Sequence, residues 1–70
     1  MADNEQQNKA QGLRRDLFGL AHAEREIRRE IGARVLAGEP VIDLCALRLA
    51  NREQQENLAA AVGLLEASTP

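Results

Sequence analysis

Residues 13–40 read LRRDLFGLAHAEREIRREIGARVLAGEP, and their spacing decides the architecture. Leu13, Leu17, Leu20, Glu24, Ile27, Ile31 and Arg34 step alternately by four and three, the heptad-like period of a helix that packs along one face. Glu24 interrupts the stripe and Arg34 ends it, so Val35 and Leu36 are expected to take over the apolar face. Arg14, Arg15, Arg25, Glu26, Arg29 and Glu30 occupy the opposite side. Glu24 with Arg28, and Glu30 with Arg34, have the favourable i,i+4 order for ion pairs. Gly38 stands where a helix C-cap glycine belongs, and Pro40 follows, able to open the next helix in its first turn. The spacing thus predicts a first helix over residues 11–37, about 40 Å long at 1.5 Å per residue.

Outward from that stretch the pattern is less regular. Ile42, Leu44, Cys45, Leu47 and Leu49 are densely apolar, residues 51–57 are wholly polar, and Leu58, Ala61, Val62 and Leu65 resume helical spacing. Asn51 with Gln54 has the form of a capping box, a sign of a fresh helix start. Residues 41–67 therefore read as one helix, as two with a kink near Asn51, or with a short strand over 41–49. Residues 1–10 lack apolar periodicity and read as a flexible polar tail, and residues 68–70 as a second tail. The expected fold is all-α, with residues 11–67 a single helical hairpin. Gly12, Gly19 and Gly32 lie inside the first helix at a cost of up to ~1 kcal/mol each against alanine. Gly12 and Gly19 share a side, where they either admit close helix contact or simply weaken the helix.

Seventy residues allow one small domain. Chains this short need a staple or a partner. Cys45 is the only cysteine, so no intrachain disulfide forms, and a reducing, cytoplasmic setting is the simpler expectation. His22 is the only histidine, too few with one cysteine for a zinc site. Self-association remains: two hairpins pairing into a four-helix bundle. The expected hairpin and dimer core is Leu13, Leu17, Leu20, Ile27, Ile31, Val35, Leu44, Leu47, Leu58, Ala61, Val62 and Leu65.

Nine basic and eleven acidic side chains give a net charge of −2, which argues against general attraction to nucleic acid or anionic membrane. Phe18 is the only aromatic residue, leaving no platform for stacked bases. No apolar run approaches the ~20 residues of a membrane span, and the polar N-terminus is unlike a signal peptide. No cofactor and no catalysis are expected. A Ser/His/acid set and a phosphate-binding glycine loop are missing, and Glu24, Glu26 and Glu30 read as solvated partners of arginine. Cys45, in an apolar run, reads as a small buried hydrophobe, and His22 as a surface or interface residue.

Three resemblances bear on partners. Leu58-Ala59-Ala60-Ala61-Val62-Gly63-Leu64 looks like the first helix and turn of a helix-turn-helix, but too little sequence follows Leu64 for the recognition helix that would read DNA. In size and hairpin topology the chain resembles the plasmid-encoded RNA-binding four-helix bundle Rop. That resemblance implies an RNA-binding accessory role for the arginine-rich first helix, although Asp16, Glu24, Glu26 and Glu30 interleave with its arginines. In length, in the helix–Gly38-Glu39-Pro40–helix layout and in an arginine-rich first helix with Leu17, Phe18, Ile27 and Arg28, the chain resembles the small helical anti-activators of Pseudomonas phages. These act on quorum-sensing regulators and pilus motors. That resemblance implies a phage- or plasmid-encoded homodimer that inhibits a host protein by direct binding. On the residues alone, Phe18 either points partly outward among Arg14, Arg15 and Arg25 or is buried in a dimer core; aromatic and arginine side chains are the usual interface anchors. Arg14, Phe18, Arg25 and Arg28 are thus the expected partner-binding residues, with the apolar segment 41–49 a second candidate. The expected partners are a second copy and a host protein, with nucleic acid ranked behind and membrane excluded.

Overall fold

A computed structural model describes the backbone over residues 2–68 and the side chains over residues 5–68. Two helices, α1 (Ala2–Ala37) and α2 (Ile42–Ala67), fold back on each other as an antiparallel hairpin, with no strand among the described residues. The hairpin measures 55 × 14 × 12 Å.

The heptad period of α1 holds throughout. The half-buried or buried residues are Gln6, Ala10, Leu13, Leu17, Leu20, Glu24, Ile27, Ile31 and Arg34, together with Gly12, Ala21 and Ala23 at the margins. These seam residues are the a and d positions of a two-stranded seam. The same period runs through α2 as Val41, Leu44, Arg48, Asn51, Gln55, Leu58, Val62 and Leu65, with Ala61 half-buried beside it. Only Ala10, Val62 and Glu24 fall into the buried class among the described residues. A two-helix seam covers one face of each helix and leaves the other three sides in water.

The turn follows from Gly38. It adopts a left-handed φ of 73°, which glycine takes without a Cβ clash. Its N–H donates to the Val35 carbonyl (3.1 Å) and the Glu39 N–H to the Arg34 carbonyl (2.8 Å), the paired bonds of a Schellman cap. Pro40 lies just before the N-cap, Val41, rather than inside the first turn of α2. Arg34 closes the turn by donating to both Asp43 oxygens (3.3 and 3.2 Å), and Asp43 also sits favourably at the positive end of the α2 dipole.

Several expectations are corrected. The first helix starts at Ala2 rather than at residue 11, because its polar residues are helix-compatible and Ala10 packs on the seam; Met1, with the side chains of residues 2–4, lies outside the description. Of the C-terminal tail, Ser68 caps α2 by donating from its N–H to the Leu64 carbonyl, and residues 69–70 lie outside the described residues. The second arm is one unbroken helix: Asn51 opens no new helix, Gly63 makes no turn, and the strand option is gone. Val35 and Leu36 do not take over the apolar face. Arg34 keeps the seam position through its bonds to Asp43 and Glu30, which turns its two aliphatic neighbours outward, Leu36 to 91% exposure. Leu47 is displaced in the same way by Arg48, and Cys45 is exposed rather than buried. Val35 and Leu47 thus lie outside the hairpin core. A Cβ added at Gly12, Gly19 or Gly32 meets nothing within 4 Å, so these glycines admit no close approach between α1 and α2.

Candidate functional site

The middle of the seam is polar. Glu24 is 8% exposed, and its carboxylate accepts from Arg52 Nη1 (3.1 Å) and Gln55 Nε2 (2.9 Å). Gln55 also donates to Asn51 Oδ1, and Asn51 Nδ2 donates to the Leu20 carbonyl at 3.1 Å. Loss of water pushes the Glu24 carboxyl up, but the Gln55 hydrogen bond and the charges of Arg52 and Arg48 outweigh it and hold the group below the ordinary carboxylate range. Among the described residues no buried side-chain polar atom lacks a partner, so the layer is satisfied. The expected Glu24–Arg28 pair does not form, since the carboxylate turns across the seam to Arg52 instead. The expected Glu30–Arg34 pair does form, at 3.5 Å.

The layer ties the two helices together across the seam. Its carboxylate is held ionised by two donors and faces the neighbouring helix. Among the described residues no three His, Cys, Asp or Glu side chains gather as metal ligands. At the turn a second lock repeats the chemistry: the Arg34 hydrogen bond, against a smaller effect of lost water, holds Asp43 below its ordinary value and raises Arg34 in turn.

The outer surface carries the candidate contacts. Arg14, Phe18, Arg25 and Arg28 occupy successive e, b, b and e positions of α1, which places all four along one flank of the hairpin. Phe18 is 77% exposed on the hairpin. Arg14 pairs across the hairpin with Glu66. On the same flank α2 contributes Cys45, Leu49 and Arg52 at its e and b positions, with Arg48 at the seam beside them, and these four line a groove of about 400 Å³. Arg48 and Arg52 were not expected at this site. The signal lay in continuing the heptad of α2 through its polar residues, which puts Arg48 on the seam and Arg52 beside it. The other outward apolar side chains, Val35, Leu36, Ile42, Leu47 and Leu49, gather in the half of the hairpin nearest the turn, with Leu64 toward the open end.

No known protein family matches the chain, nor does any curated protein or solved structure. No helix among the described residues is long and apolar enough to cross a membrane.

Proposed function

We propose that this chain is a small, non-enzymatic regulatory protein of the cytoplasm that acts by binding another protein directly. Two hairpins pair into a four-helix bundle, and the bundle inhibits or modulates a host protein such as a transcription regulator. The observation that carries this reading is surplus surface. The hairpin exposes 5409 Å². A globular monomer of its 7.7 kDa exposes about 4,300 Å². The surplus of about 1,100 Å² compares with the ~800 Å² that each partner buries in an interface of ordinary size. Its radius of gyration is 16.2 Å, against about 11 Å for a compact chain of this length. Outward Phe18, Leu36, Ile42 and Leu49 supply the kind of surface that associates. The resemblance to phage anti-activators agrees with this reading.

Sedimentation equilibrium at micromolar concentration, paired with capture from bacterial lysate, tests both parts. The expected outcome is twice the 7.7 kDa chain mass, plus one retained protein that is lost with Phe18→Ala or Arg28→Ala. A folded monomer that retains nothing would overturn the proposal. The second reading, a Rop-like nucleic-acid accessory bundle, is favoured by one observation: Arg15, Arg25 and Arg28 of α1 form no ion pair among the described residues. It predicts binding that weakens steeply with salt.

A further inference from the structure

Shallow grooves open in a row along one flank of the hairpin, and arginines crowd its middle. The Arg14–Glu66 ion pair ties the helices across this flank near the open end and serves as a ruler. One heptad inward on each helix, Ala21 stands opposite Ala59. Two heptads inward, Arg28 stands opposite Arg52, and three inward, Val35 stands opposite Cys45. Arg25 and Arg48 lie one turn from Arg28 and Arg52 on their own helices. Like charges facing each other across a seam destabilise it. Glu24 engages Arg52, whereas Arg25, Arg28 and Arg48 form no ion pair among the described residues. A chain of net charge −2 has thus gathered a positive strip on one side.

The shape of the strip narrows its occupant. On one side of Arg52 lies the groove of Cys45, Arg48 and Leu49. On the other, Leu17, Gln55, Glu56 and Ala59 line a groove of about 440 Å³. Together they run from Cys45 to Ala59, about 21 Å of helix at 1.5 Å per residue. Two shallow grooves that share Arg52, with Leu17, Leu49 and Ala59 in their lining and Arg48 and Arg52 at the centre, match an amphipathic helix lying along them. Nucleic acid fits less well, because Glu56 sets a carboxylate in one of the grooves and Phe18 is the chain's only Phe, Tyr or Trp. A second copy docked here about a two-fold axis would set arginines against arginines.

We propose that this flank docks an acidic amphipathic helix of a partner protein, with Asp or Glu side chains on Arg25, Arg28, Arg48 and Arg52 and aliphatic side chains on Leu49 and Phe18. The proposal rests on the protein-binding reading above and names the chemistry of its partner.

The test is a displayed library of amphipathic helical peptides with randomised polar-face charges, selected on the immobilised full chain. A selected peptide is then labelled and titrated by fluorescence anisotropy. Enrichment of Asp and Glu is expected. Affinity should fall about tenfold or more in Arg25→Glu/Arg28→Glu and survive in Arg25→Lys/Arg28→Lys. Neither residue contributes an ion pair to the hairpin, and circular dichroism of each variant confirms the fold; Leu49→Lys, on the other helix, should weaken the same peptide independently. Enrichment of basic or neutral helices, or affinity indifferent to charge reversal, would overturn the arginine flank and leave protein binding standing. No enriched peptide, with an RNA hairpin bound in a steeply salt-dependent way, would overturn both.

Discussion

The two halves of the hairpin, on either side of the Glu24 layer, solve the same packing problem with different materials. Toward the open end the seam is aliphatic: Leu13, Leu17 and Leu20 face Leu58, Val62 and Leu65, and few large side chains point outward. Toward the turn the seam mixes Ile27 and Ile31 with Arg34 and Arg48, while Val35, Leu36, Ile42, Leu47 and Leu49 stand in water. One half has placed its apolar residues on its own seam. The other has turned them outward and used charge and a capped turn to hold itself together. The lesson is that stability and interaction surface are drawn from the same supply of aliphatic residues, and this chain divides them along its length.

The strongest test of that division is a matched pair of truncations. Leu20→Ala, on the aliphatic seam, should cost about 2 kcal/mol of folding stability, near the lower end for a leucine that is only half buried. Leu36→Ala, 91% exposed, should stay within about 0.5 kcal/mol of the parent. Urea unfolding followed by circular dichroism measures both, and equal losses would erase the distinction between the halves. A smaller effect is expected at the turn. Gly38→Ala forces a Cβ into the left-handed region and should cost about 1 kcal/mol, read as a lower urea midpoint at unchanged slope. The smallest effect sharpens the role of charge. Glu24 and Asp43 both have carboxyls held below their ordinary values. Their contribution is therefore complete above the unfolded values of about 4.3 and 3.9, and it is lost as pH falls through the lower folded values. The urea midpoint should be level from neutral pH down to about 5 and fall below about 4, with a shallower fall in Glu24→Gln. An unchanged profile in that variant would remove Glu24 as a contributor.

Much of this fold was legible in residues 13–40. The step from Leu13 to Ile31 and the Gly38 cap carry their own physical instructions, and both hold. Val35, Leu36 and Leu47 fall outside the seam because helical phase outranks hydrophobicity. A helix turns 100° per residue, so once Leu13 to Ile31 set the phase, Arg34 belongs on the seam whatever its polarity, provided Asp43 and Glu30 receive its charge. The same reasoning explains the missed continuity of α2, where Asn51 and Gln55 look like an interruption until Glu24 is seen opposite them. A polar residue in one stripe is answered by polar residues in the other, and neither stripe shows this alone. The exposure of Phe18 on the hairpin follows from Leu17 holding the seam one residue earlier. The position of Arg28 opposite Arg52 needs the register between helices, which the sequence does not spell out.

The Glu24 layer also acts as a lock that recognises one key. Sliding α2 by a heptad so that Val62 replaces Gln55 would set the Glu24 carboxylate among Leu58 and Leu65 and leave Gln55 and Asn51 without it, so the layer reads the alignment of the helix opposite. It does not read which molecule that helix came from. An α2 offered by a neighbouring chain would present the same groups, and the Gly38 bend with the Arg34–Asp43 bridge keeps each hairpin closed on itself. Straighten that bend, and two chains would exchange arms with every seam contact kept.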